Sequence, residues 1–185
     1  MNGYELPTSL MAGGRSYKIR SDFRAILDVL IAMNDPDLDK WAKADVLLKI
    51  IFPGWREIPP EHVAEAYEKA CVFIDCGMKD DGKPRPRTID WEQDAVIIIP
   101  AVNNVAHTEI RALSYLHWWT FFGYFMEIGE SQLSSVVNIR QKKARGKKLE
   151  KWERDFYREN KELVDLKPHE SEEIREEKQN ILKWL

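Results

Sequence analysis

Arg140, Lys142, Lys143, Arg145, Lys147 and Lys148 place six positive charges in the nine residues RQKKARGKK, with no acid among them. Cations at that density displace counterions from phosphates in a nucleic-acid binder, and Trp152 and Phe156 just beyond could stack on bases. Acids return at once, however. Glu150, Glu153, Asp155, Glu159 and Glu162 are interleaved at spacings that allow ion pairs along a helix. The run therefore reads first as a solvated or protein-binding helix face, and nucleic-acid binding through residues 140–148 is the alternative.

Other residues with chemical reach do not assemble. His62, His107, His117 and His169 are scattered, without an i,i+4 pair or a clustered carboxylate, so neither a zinc nor a di-metal site is expected. There is no phosphate-binding glycine loop and no G-x-S-x-G elbow, and Gly13-Gly14 alone is no nucleotide signature. Cys71 and Cys76, five apart, fit neither a C-x-x-C motif nor a disulfide framework and read as ordinary buried thiols. The expectation is a protein without catalytic residues, cofactor or metal.

Elements able to position the basic run can be read from the rest of the chain. Its 185 residues are 44% hydrophobic and 32% charged, which suits one globular domain plus a tail. Residues 1–139 carry 14 Lys/Arg against 20 Asp/Glu, whereas 140–185 carry 14 against 11, so any electrostatic partner belongs to the second half. No basic patch precedes an apolar run near Met1, and the longest stretch without charge, Ala112 to Met126, is too short to span a bilayer. A cytoplasmic protein with no membrane contact is expected.

The first 20 residues, with Gly3, Pro7, Gly13 and Gly14, suggest an extended arm or short hairpin that is partly mobile. Helices are then predicted from Ser21 or Asp22 through FRAILDVLIAMN, from Asp35-Pro36 to Pro53-Gly54, and from Pro59-Pro60-Glu61 to Gly77. MKDDGKPRPRT is a charged, proline-stiffened connector. Asp90, with Gln93 three residues on, resembles a capping box. AVIIIPAV after it suits either a buried strand or a helix that bends or restarts near Pro100, the helix being preferred. From Thr108 the pattern is again helical, and around Trp118 and Trp119 it is apolar nearly all round, a core helix with a partner-facing patch as the sharper reading. Ser131 caps the next helix. Leu149, Trp152, Phe156 and Leu163 then form a narrow coiled-coil-like stripe, and an amphipathic tail carries Ile174, Ile181 and Leu185. The fold expected is all-α: an N-terminal arm (1–20), a compact multi-helix domain (21–164) and a charged helical tail (165–185).

Three spaced elements carry a resemblance. HWWTFFGYFMEIGES…SVVNIRQKK, the run Ile89-Asp90-Trp91-Glu92-Gln93-Asp94-Ala95 and the earlier Tyr17-x-Ile19-Arg20-Ser21-Asp22-Phe23-Arg24 together resemble a bacteriophage family over residues 17 to about 160. That family is known from long-tailed phages of Gram-positive hosts and is named after the fifteenth gene product of a Listeria phage. Asp90, Trp91, Asp94, His117, Trp118 and Trp119 are the motif positions. Pro100 and the residues beyond Lys167 depart from the pattern. The resemblance implies a role in virion morphogenesis in the host cytoplasm, as a tail-assembly chaperone for the tape-measure protein and for tail-tube subunits. Self-association is left open, and nucleic acid is not the expected partner. Arg140, Lys142, Lys143, Arg145, Lys147, Lys148, Trp152 and Phe156 are the candidate partner-binding residues.

Overall fold

The computed structural model describes residues 4–78, 82–83 and 85–167. It is mostly helical, with one small antiparallel sheet that the all-α expectation did not include. Of the two forms foreseen for the N-terminal arm, the hairpin is realised: β1 (Ser9–Ala12) pairs with β2 (Arg15–Lys18). Gly13 and Gly14 make its two-residue turn with φ of +54° and +72°, conformations that cost glycine little. A Cβ on Gly13 would lie 2.1 Å from the His62 ring, so that glycine also permits close approach to α3 (Pro60–Ile74). Leu10 and Ala12 are buried, and the hairpin packs on α3 as part of the core rather than as a loose arm.

Helix α1 (Phe23–Asn34) starts where expected, with Asp22 accepting from the Arg24 amide. Helix α2 (Lys40–Ile51) starts later than Asp35-Pro36 suggests. Asp39 accepts from both the Trp41 and Ala42 amides and so takes the cap, whereas Asp35 closes α1. Helix α3 (Pro60–Ile74) begins on its prolines, as predicted.

The segment before Ala95 is a side-chain-bonded turn rather than a helix start. Asp90 accepts from the Glu92 and Gln93 amides, and the reciprocal bond to the Asp90 amide comes from Asp94, not from Gln93. Helix α4 (Ala95–Ala106) resolves the strand-or-helix question in favour of helix and continues through Pro100. Both Pro100 and Val96, the residue whose carbonyl loses its i+4 donor, lie on the exposed side, where water can satisfy that carbonyl.

Helix does not resume at Thr108. His107 ends α4 in a left-handed conformation, Ile110–Ala112 form a single 3-10 turn, and α5 is the short segment Trp118–Met126. Trp118 and Phe121 are fully buried, while Trp119, Phe122, Tyr124 and Phe125 are half-buried against them, so the core reading of this helix holds. Helix α6 (Gln132–Ala144) is capped by Ser131. The supposed continuous coiled-coil stripe is two helices, α7 (Lys151–Glu159) and α8 (Lys161–Val164), broken at Asn160, whose side chain donates to the Phe156 carbonyl. Leu149, Phe156 and Leu163 pack against the core, but Trp152 points outward with 53% of its surface exposed. The predicted helical tail lies outside the described residues beyond Lys167; residues 165–167 are not helical.

Candidate functional site

The three sequence elements of the motif meet in one interior. Residues 21–23 and 116–118 form a short antiparallel bridge, with the Phe23 amide donating to Leu116 O (2.9 Å) and the Trp118 amide to Ser21 O (2.7 Å). Asp22 closes it by accepting from the Leu116 amide at 3.0 Å. Phe23 stacks on Phe121 at 4.8 Å, and Trp91 meets both Trp118 and Phe125.

His117 is the N-cap of α5 rather than a residue within a helix. Its Nδ1 accepts from the Trp119 amide at 3.0 Å, which leaves the proton on Nε2 to donate to Pro7 O at 2.9 Å. The two indoles that follow donate in parallel to the end of α3: Trp118 Nε1 to Ile74 O (2.8 Å) and Trp119 Nε1 to Phe73 O (2.9 Å). Carbonyls at a helix C-terminus lack intrahelical donors; Ile74 O and Phe73 O each gain an indole donor, Phe73 O in addition to the Cys76 amide at 3.0 Å, while the tryptophans fill the core. His117, Trp118 and Trp119 therefore act as a structural staple.

Arg140 corrects the sequence reading most. It belongs not to the exposed basic face but to the interior, where it forms a two-pronged pair with the fully buried Asp94: Nη1 to Oδ2 at 2.6 Å and Nη2 to Oδ1 at 2.9 Å. Its remaining donors go to Val164 O (2.6 Å), Leu163 O (2.9 Å) and Thr88 O (3.0 Å). One guanidinium thus ties the turn before α4, helix α6 and the end of α8 together, and every carbonyl it reaches is one that its planar donor fork can satisfy.

The next two cations are also engaged. Lys142 donates to Oε1 of the buried Glu153 at 2.6 Å, and Glu153 Oε2 accepts from the Glu150 amide at 2.7 Å. Burial by itself would raise the Glu153 pKa, but the bonds from Lys142 and the Glu150 amide carry it below the usual carboxylate range. Lys143 donates to Asp165 at 2.6 Å and lies 3.9 Å from the Tyr157 ring centroid, while Tyr157 donates to the same carboxylate. Against the opposing effect of burial, these contacts hold Asp165 low and Lys143 high. Gln93 completes this corner by bonding Asp165 O and the Lys167 amide. Glu153, Asp165 and Gln93 had no place in the sequence-based site. Capping spacings were the available signal, from Glu150 to Glu153 and from Asp90 to Gln93.

What remains of the basic run is a rim. Arg145 ends α6, Gly146 turns the chain with φ of +62°, and Lys147 and Lys148 lead into α7. All three cations are exposed, with Lys151 and Trp152 beside them at the start of α7, and among the described residues none of these four cations makes an ion pair. Phe156 lies half-buried below, packed on the core rather than offered to a partner.

The other described histidines and the cysteines are placed elsewhere for structural reasons. His62 Nδ1 bonds the Tyr17 hydroxyl at 2.9 Å beneath the hairpin, and His107 is a helix end. Cys71 and Cys76 are free and half-buried; burial, with Asp75 nearby, pushes the Cys76 thiol up to about 12, away from nucleophilic reactivity. Among the described residues no group of three or more His, Cys, Asp or Glu is arranged to hold a metal ion, and no helix is long and apolar enough to cross a membrane.

Residues 4–166 match a family model described as Bacteriophage Gp15 protein. No curated protein and no solved structure matches the chain.

Proposed function

Because the chain belongs to the bacteriophage Gp15 protein family, we propose that it is a non-enzymatic tail-assembly chaperone that binds the tape-measure protein and tail-tube subunits in the host cytoplasm. The observation that carries this reading is the division of the basic run. Asp94, Glu153 and Asp165 take Arg140, Lys142 and Lys143, which fixes the α6–α7 corner and leaves Arg145, Lys147, Lys148 and Lys151 facing solvent within seven residues of the exposed Trp152. A flat aromatic anchor on a segment rich in exposed cations suits an amphipathic client helix that brings apolar and acidic groups together.

Co-expression with the tape-measure protein of the same phage tests the proposal. The expected result is a soluble complex that survives purification and is lost on changing Arg145, Lys147, Lys148 and Trp152 to serine, with the fold intact by circular dichroism. Two folded proteins that fail to co-purify would overturn it. Nucleic acid is the second reading, favoured by the same exposed cations. It requires binding to mixed-sequence DNA or RNA whose affinity falls steeply with salt.

A further inference from the structure

The residues that follow Lys167 have the composition of a ligand for the rim. Between 170 and 177 they carry five acids, Glu170, Glu172, Glu173, Glu176 and Glu177, against one base, Arg175. Ile174, Ile181 and Leu185 recur at intervals of seven and four, the spacing of one helical face. The described chain also ends in the right place. Asp165 is held by Lys143, in the last turn of α6, at 2.6 Å, and the Lys167 amide is held by Gln93 at 2.9 Å. The acidic segment therefore leaves from beside the last turn of α6, and Arg145, Lys147 and Lys148 follow that turn in the chain.

We propose that residues 168–185 are an intramolecular ligand of this rim, their glutamates set against Arg145, Lys147, Lys148 and Lys151 and their apolar face against Trp152. This deepens the client-binding reading and rests on it in one respect only: an acidic amphipathic client would have to displace the chain's own segment. Tethering favours the internal ligand, because a short link between two binding groups gives an effective concentration in the millimolar range. Charge complementarity makes the contact sensitive to salt, since exposed pairs are screened within about 8 Å at physiological ionic strength.

Zero-length carbodiimide coupling of the full chain, with peptide mapping by mass spectrometry, tests the contact without any client. Bonds are expected between Lys147, Lys148 or Lys151 and the glutamates of 170–177, with a yield independent of protein concentration and reduced severalfold in about 0.5 M salt. Changing Glu172, Glu173, Glu176 and Glu177 to lysine should abolish them. Adding Arg145→Glu, Lys147→Glu and Lys148→Glu to that variant should restore coupling between the same two segments with the charges exchanged. Coupling spread evenly to remote lysines such as Lys40, Lys43 and Lys69 would overturn the proposal, as would failure of the charge exchange to restore it. Links found only between isotopically heavy and light chains in a mixture would overturn the intramolecular form. Since no tape-measure protein is present, failure here leaves the client-binding reading standing, and failure of co-purification leaves this contact standing.

Discussion

Two ends of the same nine-residue basic run are put to opposite uses. At one end Arg140 is 6% exposed and makes five hydrogen bonds to Asp94 and to three carbonyls. At the other, Arg145, Lys147 and Lys148 are exposed and, among the described residues, without an ion-pair partner. Their charges are alike, but their positions relative to the core are not. Arg140 shares the inward face of α6 with Val136 and Ile139, while the later cations lie at and beyond the helix end, where the chain has turned away. Positive charge is thus an internal fastening in one place and a surface available to partners in the other, and variants at each end should behave accordingly.

The largest effect is expected at the buried end. Arg140→Met leaves the buried Asp94 carboxyl with the Asp90 amide but no countercharge, and breaking a buried pair in this way costs about 3–5 kcal/mol in comparable cases. Urea unfolding would measure it. Replacing Asp94 and Arg140 together by apolar residues of similar size should recover much of the loss. A double variant as unstable as the single one would show that the carbonyls of Thr88, Leu163 and Val164, rather than the ion pair, are what Arg140 chiefly stabilises.

An intermediate effect is expected where the two uses meet, at Lys142 and Glu153. Glu153→Gln should cost about 1–3 kcal/mol near neutral pH, since a hydrogen bond to a charged buried group is weakened. Because the folded pKa lies below the unfolded value of about 4.3, the stabilisation is fully present above that value and lost as pH falls through the lower folded one. Unfolding midpoints of the parent and the Gln variant should therefore converge on acidification, and a constant gap down to about pH 3 would contradict the assignment.

A smaller loss is expected for His117→Ala, about 0.5–2 kcal/mol for removal of the α5 cap. Faster amide exchange at Trp119 should accompany it, because that amide loses its acceptor. Smallest of all, Arg145, Lys147 and Lys148 changed to serine should each shift stability by no more than about 0.5 kcal/mol while removing client capture. A large loss of stability at these positions would end the contrast between the two regions.

Much of the architecture was open to reading before any coordinates. Asp22, Pro60 and Ser131 mark helix starts by side-chain or backbone chemistry that acts within one turn, and Gly13-Gly14 marks a turn that few other residues would accept. Local signals misled where two were equally good: Asp35 and Asp39 both offer a cap, and Asp39 wins by bonding two amides. The extended stretch before Trp118 was missed because its apolar residues suit a helix, and the cross-chain bridge to Ser21 and Phe23 that holds it extended leaves no periodic trace.

The candidate site was legible only as a segment. The density of charge in 140–148, the aromatic weight of 118–125 and the family to which the chain belongs all follow from residue type and order. Which cations remain free does not. Asp94 lies 46 residues from Arg140, Glu153 lies 11 from Lys142 and Asp165 lies 22 from Lys143. Separations of that kind are closed by packing of helices on a common core, not by any local rule. Composition determined that there would be a basic run. Tertiary structure decided that its first half fastens the fold and its last half faces outward, because a charge can be buried only where the fold also brings a carboxylate and carbonyls to meet it.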